Sequence, residues 1–376
     1  MTTFDNIQII PQGKVNGGMP ILPAPKRTIS PFEFLPAWFV YAPVVAQSAI
    51  LSLYHRDWAL PLIANPAIKL SGMVGESKHD IFGAAGELTR QWILPFITIE
   101  KTQADPAKQF ITIKDKMQQH ALCYPLVAKP DLGCRGVGVK LVKNDQQLRD
   151  YIDLFPQQGR FLLQEKSGYR AEAGIFYVRQ PEEKRGKVIS ITLKYSPSVV
   201  GNGQSTLKQL IESCPRAGQL KHLYLPRHKE HLGLVIPKGD EFQLAFAGSH
   251  SRGCIFRNGN QFITSELEQK LDQILGEFTG FNYGRLDVKF RDIHKLMSGE
   301  DFDILEINGA SSEAAHIWDS DTSLSHIFGT LLQQYRLLYQ IGSKHKKQGH
   351  KTPTLGALLQ AWREEKLLTQ LYPMTD

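Results

Sequence analysis

The sequence predicts an α+β fold, and three observations carry that prediction. Strand-forming runs rich in β-branched and aromatic residues, RFLLQEK, AGIFYVR and KVISITLKY, follow one another along the chain. RLDVKF and FDILEIN alternate apolar and polar residues, as half-buried antiparallel neighbours do. Amphipathic helical stretches such as LSHIFGTLLQQYRLLYQI stand apart from these runs instead of alternating strictly with them. That order favours antiparallel neighbours over a doubly wound parallel sheet.

A length of 376 residues suggests two to three packed domains. With 42% hydrophobic and 22% charged residues, the composition excludes a disordered, collagenous or coiled-coil chain. The formal charge of +7 suits phosphates, a nucleotide, an anionic membrane surface or nucleic acid, and selects none of them. Cys123, Cys134, Cys214 and Cys254 form no C-x-x-C pair, which argues against structural zinc and a disulfide framework. The start MTTFDNIQII lacks a basic segment followed by an apolar core, so the expectation is a reduced, cytoplasmic setting.

Taken in order, residues 1–30 are rich in Gly, Pro and Lys and read as an extended, poorly ordered arm. Phe34 to Tyr54 carries no formal charge, yet Pro36 and Pro43 fit poorly in an uninterrupted membrane span. A buried or surface-packed helix is the first reading of this stretch, an interfacial membrane helix the second and a true span the third. Ser77 is placed to cap a helix running to about Trp92. LPFITIEK reads as a strand, KQFITIKDKMQQHALC as a helix, and YPLVAKPDLGCRGVGVKLV as strand, glycine turn and strand. LRDYIDLF and STLKQLIESC are helical, SKHKKQGHK is a basic linker, and TLGALLQAWREEKLL is a last helix. The boundaries that follow are 1–75 for an N-terminal arm and apolar helical region, 76–340 for the main domain, and 341–376 for the basic linker and C-terminal helix.

Chemistry concentrates in two places. A strand delivers Lys129, and a turn holding Gly133, Gly136 and Gly138 lets the next strand return close above it. Glycines allow backbone amides to approach phosphate oxygens, and the lysine adds a point charge. The order is neither a Walker A loop nor a dinucleotide fingerprint. In GRLDVKF, Arg285 and Asp287 share one strand face; in FDILEIN, Glu306 and Asn308 do. If the two strands pair, two carboxylates and an amide converge beside a guanidinium, a set of hard oxygens suited to Mg²⁺ completed by phosphate and water.

Lys129 with its glycine turn, then QEKSGYRAE, then GRLDVKF and LEIN, together resemble the successive signatures of ATP-grasp enzymes, carboxylate–amine ligases in particular. The resemblance covers roughly residues 75–340. It implies two α+β subdomains clamping ATP, with a small lid at about 109–195, a divergent N-terminal region and a helical C-terminal extension. It also implies ATP contacts by Lys78, Lys129, Gly133, Gly136 and Gly138. The backbone of Gln164, Glu165, Lys166 and Ser167 would meet adenine, Glu172 would meet ribose, and Arg252 is a weaker phosphate or substrate candidate. Lys194 near the terminal phosphate and Arg285 near the reacting acyl group take the catalytic roles. Asp287, Glu306 and Asn308 hold Mg²⁺, two ions in the family pattern, with Mn²⁺ as a substitute. The implied reaction activates a carboxylate as an acyl phosphate for attack by an amine.

The chain departs from D-alanine–D-alanine ligases after Asn308, where GASSEAAHIWD replaces a Ser-Pro-Gly-type turn. The acceptor pocket is therefore expected to differ, and the substrates are a small carboxylate and an amine of unspecified identity. Nucleic acid is not an expected partner; an oligomer is allowed. Two alternatives stand beside the ligase: ATP-grasp chemistry on a lipid-linked or membrane-proximal substrate, and a nucleotide-binding protein peripheral to the inner face of a membrane without turnover.

Overall fold

The computed structural model describes residues 9–11, 13–23, 25–28, 30, 35–133, 136–246, 248–250, 253–373 and 375. Cys134, Arg252 and Phe34 lie outside them. Residues 1–8 of the arm read as extended and poorly ordered lie outside the described residues; the described part is tied to the rest of the chain. Strand β1 (Ile9–Ile10) is paired antiparallel. Asn16 donates its Nδ2 to the carbonyl of Ser196, and Tyr195 donates its hydroxyl to the carbonyl of Pro20. The signal was missed because these contacts join residues far apart in sequence.

The uncharged stretch forms helix α1 (Ala37–His55), which continues through Pro43. One stripe, Val40 and Val44, is buried with Ile317, Ile327 and Leu331, so surface packing describes it. Among the described residues, no helix is long and apolar enough to cross a membrane.

Helix α2 (Lys78–Ala84) begins at the expected cap, where Ser77 accepts the amide of Asp80. After α3 (Glu87–Trp92) come β2 (Phe96–Glu100), α4 (Pro106–Gln119), β3 (Leu126–Pro130), β4 (Lys140–Val142), α5 (Asp145–Leu154) and β5 (Arg160–Glu165). The four strands form an antiparallel sheet in the order β2-β5-β3-β4. Phe110, Ile113 and Met117 of α4 and Leu148, Tyr151 and Ile152 of α5 share its buried core with Ile97, Ile99, Phe161 and Leu163.

A second antiparallel sheet, of five strands, is built from the following segment. Its strands are β6 (Ala171–Val178) and β7 (Lys187–Tyr195), then β10, β11 and β12 after an insertion. The insertion holds β8 (Ser198–Val200), α6 (Leu207–Ser213), α7 (Lys221–Arg227) and β9 (Glu241–Gln243), with β1, β9 and β8 as a small third sheet. Then come β10 (Ile255–Asn258), α8 (Ser265–Leu275), β11 (Tyr283–Phe290), α9 (Ile293–Met297) and β12 (Phe302–Asn308). The order is β10-β7-β6-β11-β12. Every residue of β6 is buried, as befits a middle strand covered on both faces. Residues 171–195, read from the sequence as part of the lid, therefore belong to the central sheet. The pairing of β6 with β11, more than a hundred residues away, decides this, and no local pattern announces it.

Helix α10 (Leu324–Lys347) and helix α11 (Leu355–Thr369) complete the chain. The basic run is not a linker at its start: Lys344, His345, Lys346 and Lys347 form the last turn of α10. Cations there complement the helix dipole. Lys346 pairs with Asp57, Lys344 with Glu182, and His345 is buried against Asn282. The α+β class, the antiparallel sheets and the helical C-terminal segment are as the sequence implies.

Candidate active site

Strands β11 and β12 pair so that Asp287 faces Glu306 and Arg285 faces Asn308. A register shift follows Asp287, where the pairing is locally disrupted. On the other side of β11, Asp287 faces Gly174, Arg285 faces Phe176 and Lys289 faces Glu172. Gly174 leaves them room: a Cβ there would lie 2.9 Å from Arg285 Cδ and 3.2 Å from Asp287 Oδ1. Its absence lets these two side chains lie across the sheet.

The groups form a chain of opposite charges. Arg285 donates from Nε to Asp287 Oδ1 at 2.9 Å and from Nη1 to the carbonyl of Glu313 at 3.2 Å. Lys194 Nζ lies 3.0 Å from Asp287 Oδ1 and 3.2 Å from Glu172 Oε1. Lys289 Nζ takes the other oxygen of Glu172 at 3.2 Å. Burial works against the charged form of every one of these carboxylates. Even so, Arg285 and Lys194 hold the Asp287 carboxyl below its usual range, and Lys289 and Lys194 do the same for Glu172. Burial likewise works against the Lys194 ammonium, but Asp287 and Glu172 raise it.

The four-stranded sheet reaches the same place from the other side. Lys129 at the end of β3 donates to the carbonyl of Leu305 at 2.8 Å. Lys78, the first residue of α2, lies 3.1 Å from Glu306 Oε1 and donates to the carbonyl of Gly133 at 3.0 Å. Burial lowers the Lys129 ammonium to about 8, with Lys78 adding repulsion against the pull of Glu306. Gly133, Gly136 and Gly138 all have positive φ, of 124°, 71° and 73°, a backbone that favours glycine over any residue with a Cβ.

The structure thus brings together Lys78, Lys129, Gly133, Lys194, Glu172, Arg285, Asp287, Glu306 and Asn308. Gln164 and Glu165 end β5, and Lys166 and Ser167 begin the link to β6, which starts at Ala171. Gln164 Nε2 donates to the carbonyl of Leu94, the amide of Glu165 to Pro95, and Ser167 to Asp303 Oδ2 at 2.6 Å. Gly136 and Gly138 instead meet the C-terminal end of the chain. The Thr375 hydroxyl donates to the carbonyl of Gly136 at 2.8 Å and accepts the amide of Gly138 at 3.0 Å.

Four residues near the site carry no role in the sequence reading. Lys289 lies two residues beyond Asp287 on the same strand face, so the alternation in RLDVKF could have flagged it. Glu76 adjoins Lys78 in GESK and accepts the amide of Gly309 just past Asn308. Burial, reinforced by Glu306, pushes its carboxyl up to about 8. Thr375 and Tyr372 carry no local signal. Away from the site, His228 is buried and bonded at Nε2 to the carbonyl of Leu244, and burial lowers it to about 4.

Asn308 Nδ2 is buried without an acceptor among the described residues. No group of three or more His, Cys, Asp or Glu arranged to hold a metal occurs among them either. Asp287, Glu306 and Asn308 offer two carboxylates and one amide side by side.

No protein-family model matches the chain. It is 24% identical over 229 residues to cyanophycin synthetase of Trichormus variabilis and, equally, to that of a Nostoc species. Each match covers 56% of this chain and 24% of the relative, so the chain spans about a quarter of the length of these relatives. Among solved structures it is similar to a bifunctional glutathione synthetase from Pasteurella multocida (14% identity, TM-score 0.35, 69% of this chain and 35% of that one). It is also similar to D-alanine–D-alanine ligase from Bacillus anthracis (10%, 0.42, 76% and 72%) and to VanG D-Ala:D-Ser ligase from Enterococcus faecalis (12%, 0.38, 71% and 64%). All are synthetases or ligases by name.

Proposed function

We propose that this chain is an ATP- and Mg²⁺-dependent ligase of the ATP-grasp type, joining a small carboxylate to an amine. The observation that carries the reading is the convergence of Lys78, from helix α2, and Lys129, from the four-stranded sheet, on Glu306 and Leu305 of the central sheet. Arg285, Asp287 and Lys194 lie beside them.

A carboxylate is a poor acyl donor until its oxygen becomes a leaving group. Transfer of the γ-phosphoryl group of ATP to it supplies one, and most of the enzyme's contribution to such a transfer is positioning and charge neutralisation. Lys78 and Lys129 are placed to meet phosphate oxygens, together with the amides of the turn holding Gly133, Gly136 and Gly138. In this reading the backbone from Gln164 to Ser167 binds adenine, Glu172 binds the ribose, and Arg252 is a weaker phosphate or substrate candidate. Lys78 gives up Glu306 for phosphate when the nucleotide enters.

Asp287, Glu306 and Asn308 fit Mg²⁺ by chemistry: hard oxygens, too few to close a site alone, with the Asn308 amide lacking an acceptor that a phosphate oxygen provides. When bound, the two ions, or Mn²⁺ in their place, neutralise phosphate charge. Arg285, clamped by Asp287, presents a fixed fork to the oxyanion formed when the amine attacks. Lys194 stands behind the same carboxylate, near the transferred group.

A screen of amino acids, peptides and other small carboxylates for stimulated ADP release tests the reading. ADP release that depends on both a carboxylate and an amine is the expected result. Failure to bind ATP–Mg²⁺ by calorimetry overturns the reading.

A further inference from the structure

Helix α1 shows a surface that the proposed chemistry does not use. Beyond the stripe buried through Val40 and Val44, its outer face exposes Trp38, Phe39, Val45, Ile50, Leu53 and Tyr54. Trp38 is 72% exposed, and Leu53 and Tyr54 are each 80% exposed. Between them the exposed positions are alanines, and the helix carries no Asp, Glu, Lys or Arg. Monomers rarely leave so continuous an apolar face in water, and such faces mark docking sites. Aromatic residues stand at both ends, where an apolar body and a polar tip suit a boundary between oil and water.

The charges around the helix identify the occupant. At its C-terminal end Arg56 is exposed, and Asp57 binds both Lys346 and Thr352. Those contacts hold exposed Lys347 and Lys351 beside the end of α1. At the other end, the backbone of Lys26 is bonded to Asp321, just before the start of α10, and Lys26 and Arg27 are exposed. Asp57 and Asp321 are both engaged in these contacts. An apolar face with basic residues beyond both ends complements an anionic lipid surface.

A second copy of the chain is the competing occupant. Among the described residues of α1, nine are exposed, whereas a stable protein interface uses about 20–30 residues a side. A lipid surface makes no such demand, because a helix face needs only to sink into the headgroup boundary. We infer that the outer face of α1 docks the protein peripherally on an anionic membrane. This inference does not depend on the ligase reading.

The test is co-sedimentation of the full chain with phosphatidylcholine vesicles, with and without phosphatidylglycerol, beside light scattering of the protein alone. Binding to the anionic vesicles only, released by raising salt, is expected. The double substitution Val45→Glu, Leu53→Glu, at exposed positions that leave the core intact, should abolish it. Lys347→Gln and Lys351→Gln should each weaken it about fivefold, the effect of one basic residue near such a surface. Circular dichroism verifies that each variant is folded. Wild-type protein left in the supernatant, binding unchanged by the double substitution, or a dimer that the double substitution dissolves would each overturn the inference.

Discussion

Asp287 and Glu306 face each other across β11 and β12, yet each is neutralised from a different direction. Asp287 is held by Lys194 and Arg285 within the central sheet, at 3.0 and 2.9 Å. Glu306 is held by Lys78, which comes from the first turn of α2 beside the glycine turn. Losing one carboxylate therefore frees a different cation from losing the other.

Substitutions at this pair should separate metal binding from turnover. Glu306→Gln keeps size but removes a metal-directed charge, and should shift the Mg²⁺ optimum of ADP release upward. Arg285→Lys keeps charge but loses the planar fork on Asp287. It should bind ATP–Mg²⁺ nearly as wild type and turn over about 10²-fold more slowly, the scale of one lost oxyanion donor. Full turnover by Arg285→Lys removes it from the chemistry.

Gly174 offers a test that adds no charge. Gly174→Ala places a methyl group against Arg285 Cδ and Asp287 Oδ1. Turnover should fall about tenfold as the guanidinium is displaced, with a change in stability of about 1 kcal/mol or less, because a long side chain can yield. Kinetics beside thermal unfolding distinguish the two effects.

Nucleotide affinity should depend on pH near 8. The buried Lys129 ammonium, lowered to about 8, loses its positive charge as pH rises through that value. The buried Glu76 carboxyl, raised to about 8, gains a negative charge over the same range. Both changes repel phosphate, so calorimetric affinity for ATP–Mg²⁺ should fall between pH 7 and pH 9, by about tenfold for each group. Lys129→Met should bind weakly throughout, and Glu76→Gln should flatten part of the slope. A flat wild-type profile excludes both groups from the nucleotide site.

The C-terminal end should matter to the glycine turn. Tyr372 stacks on Phe155 with ring centroids 5.3 Å apart and lies 3.4 Å from where a Cβ on Gly133 would be. Tyr372→Ala should destabilise the four-stranded module by about 2 kcal/mol, below the value for a fully buried aromatic because the side chain is only partly buried. Thr375→Val should instead loosen only the turn, by removing its bonds to Gly136 and Gly138. Faster amide exchange confined to residues 133–139 is the expected signature.

The sequence by itself determined the elements whose signals are local. The alternation in RLDVKF and FDILEIN placed Arg285 with Asp287 and Glu306 with Asn308, because a strand's side-chain period of two admits no other grouping. Ser77 announced its helix, and the glycines between β3 and β4 occupy backbone that favours residues without a Cβ. Only the tertiary structure decided that residues 171–195 join the central sheet, that the first arm is pinned along Tyr195 and Ser196, and that the basic run ends a helix beside Asp57. It also decided that Glu76 and Thr375 reach the site. Each of these rests on contacts between distant segments, formed because burying one face of a strand or helix requires a partner surface. Nothing in the residues beside Glu76 or Thr375 records which surface that is.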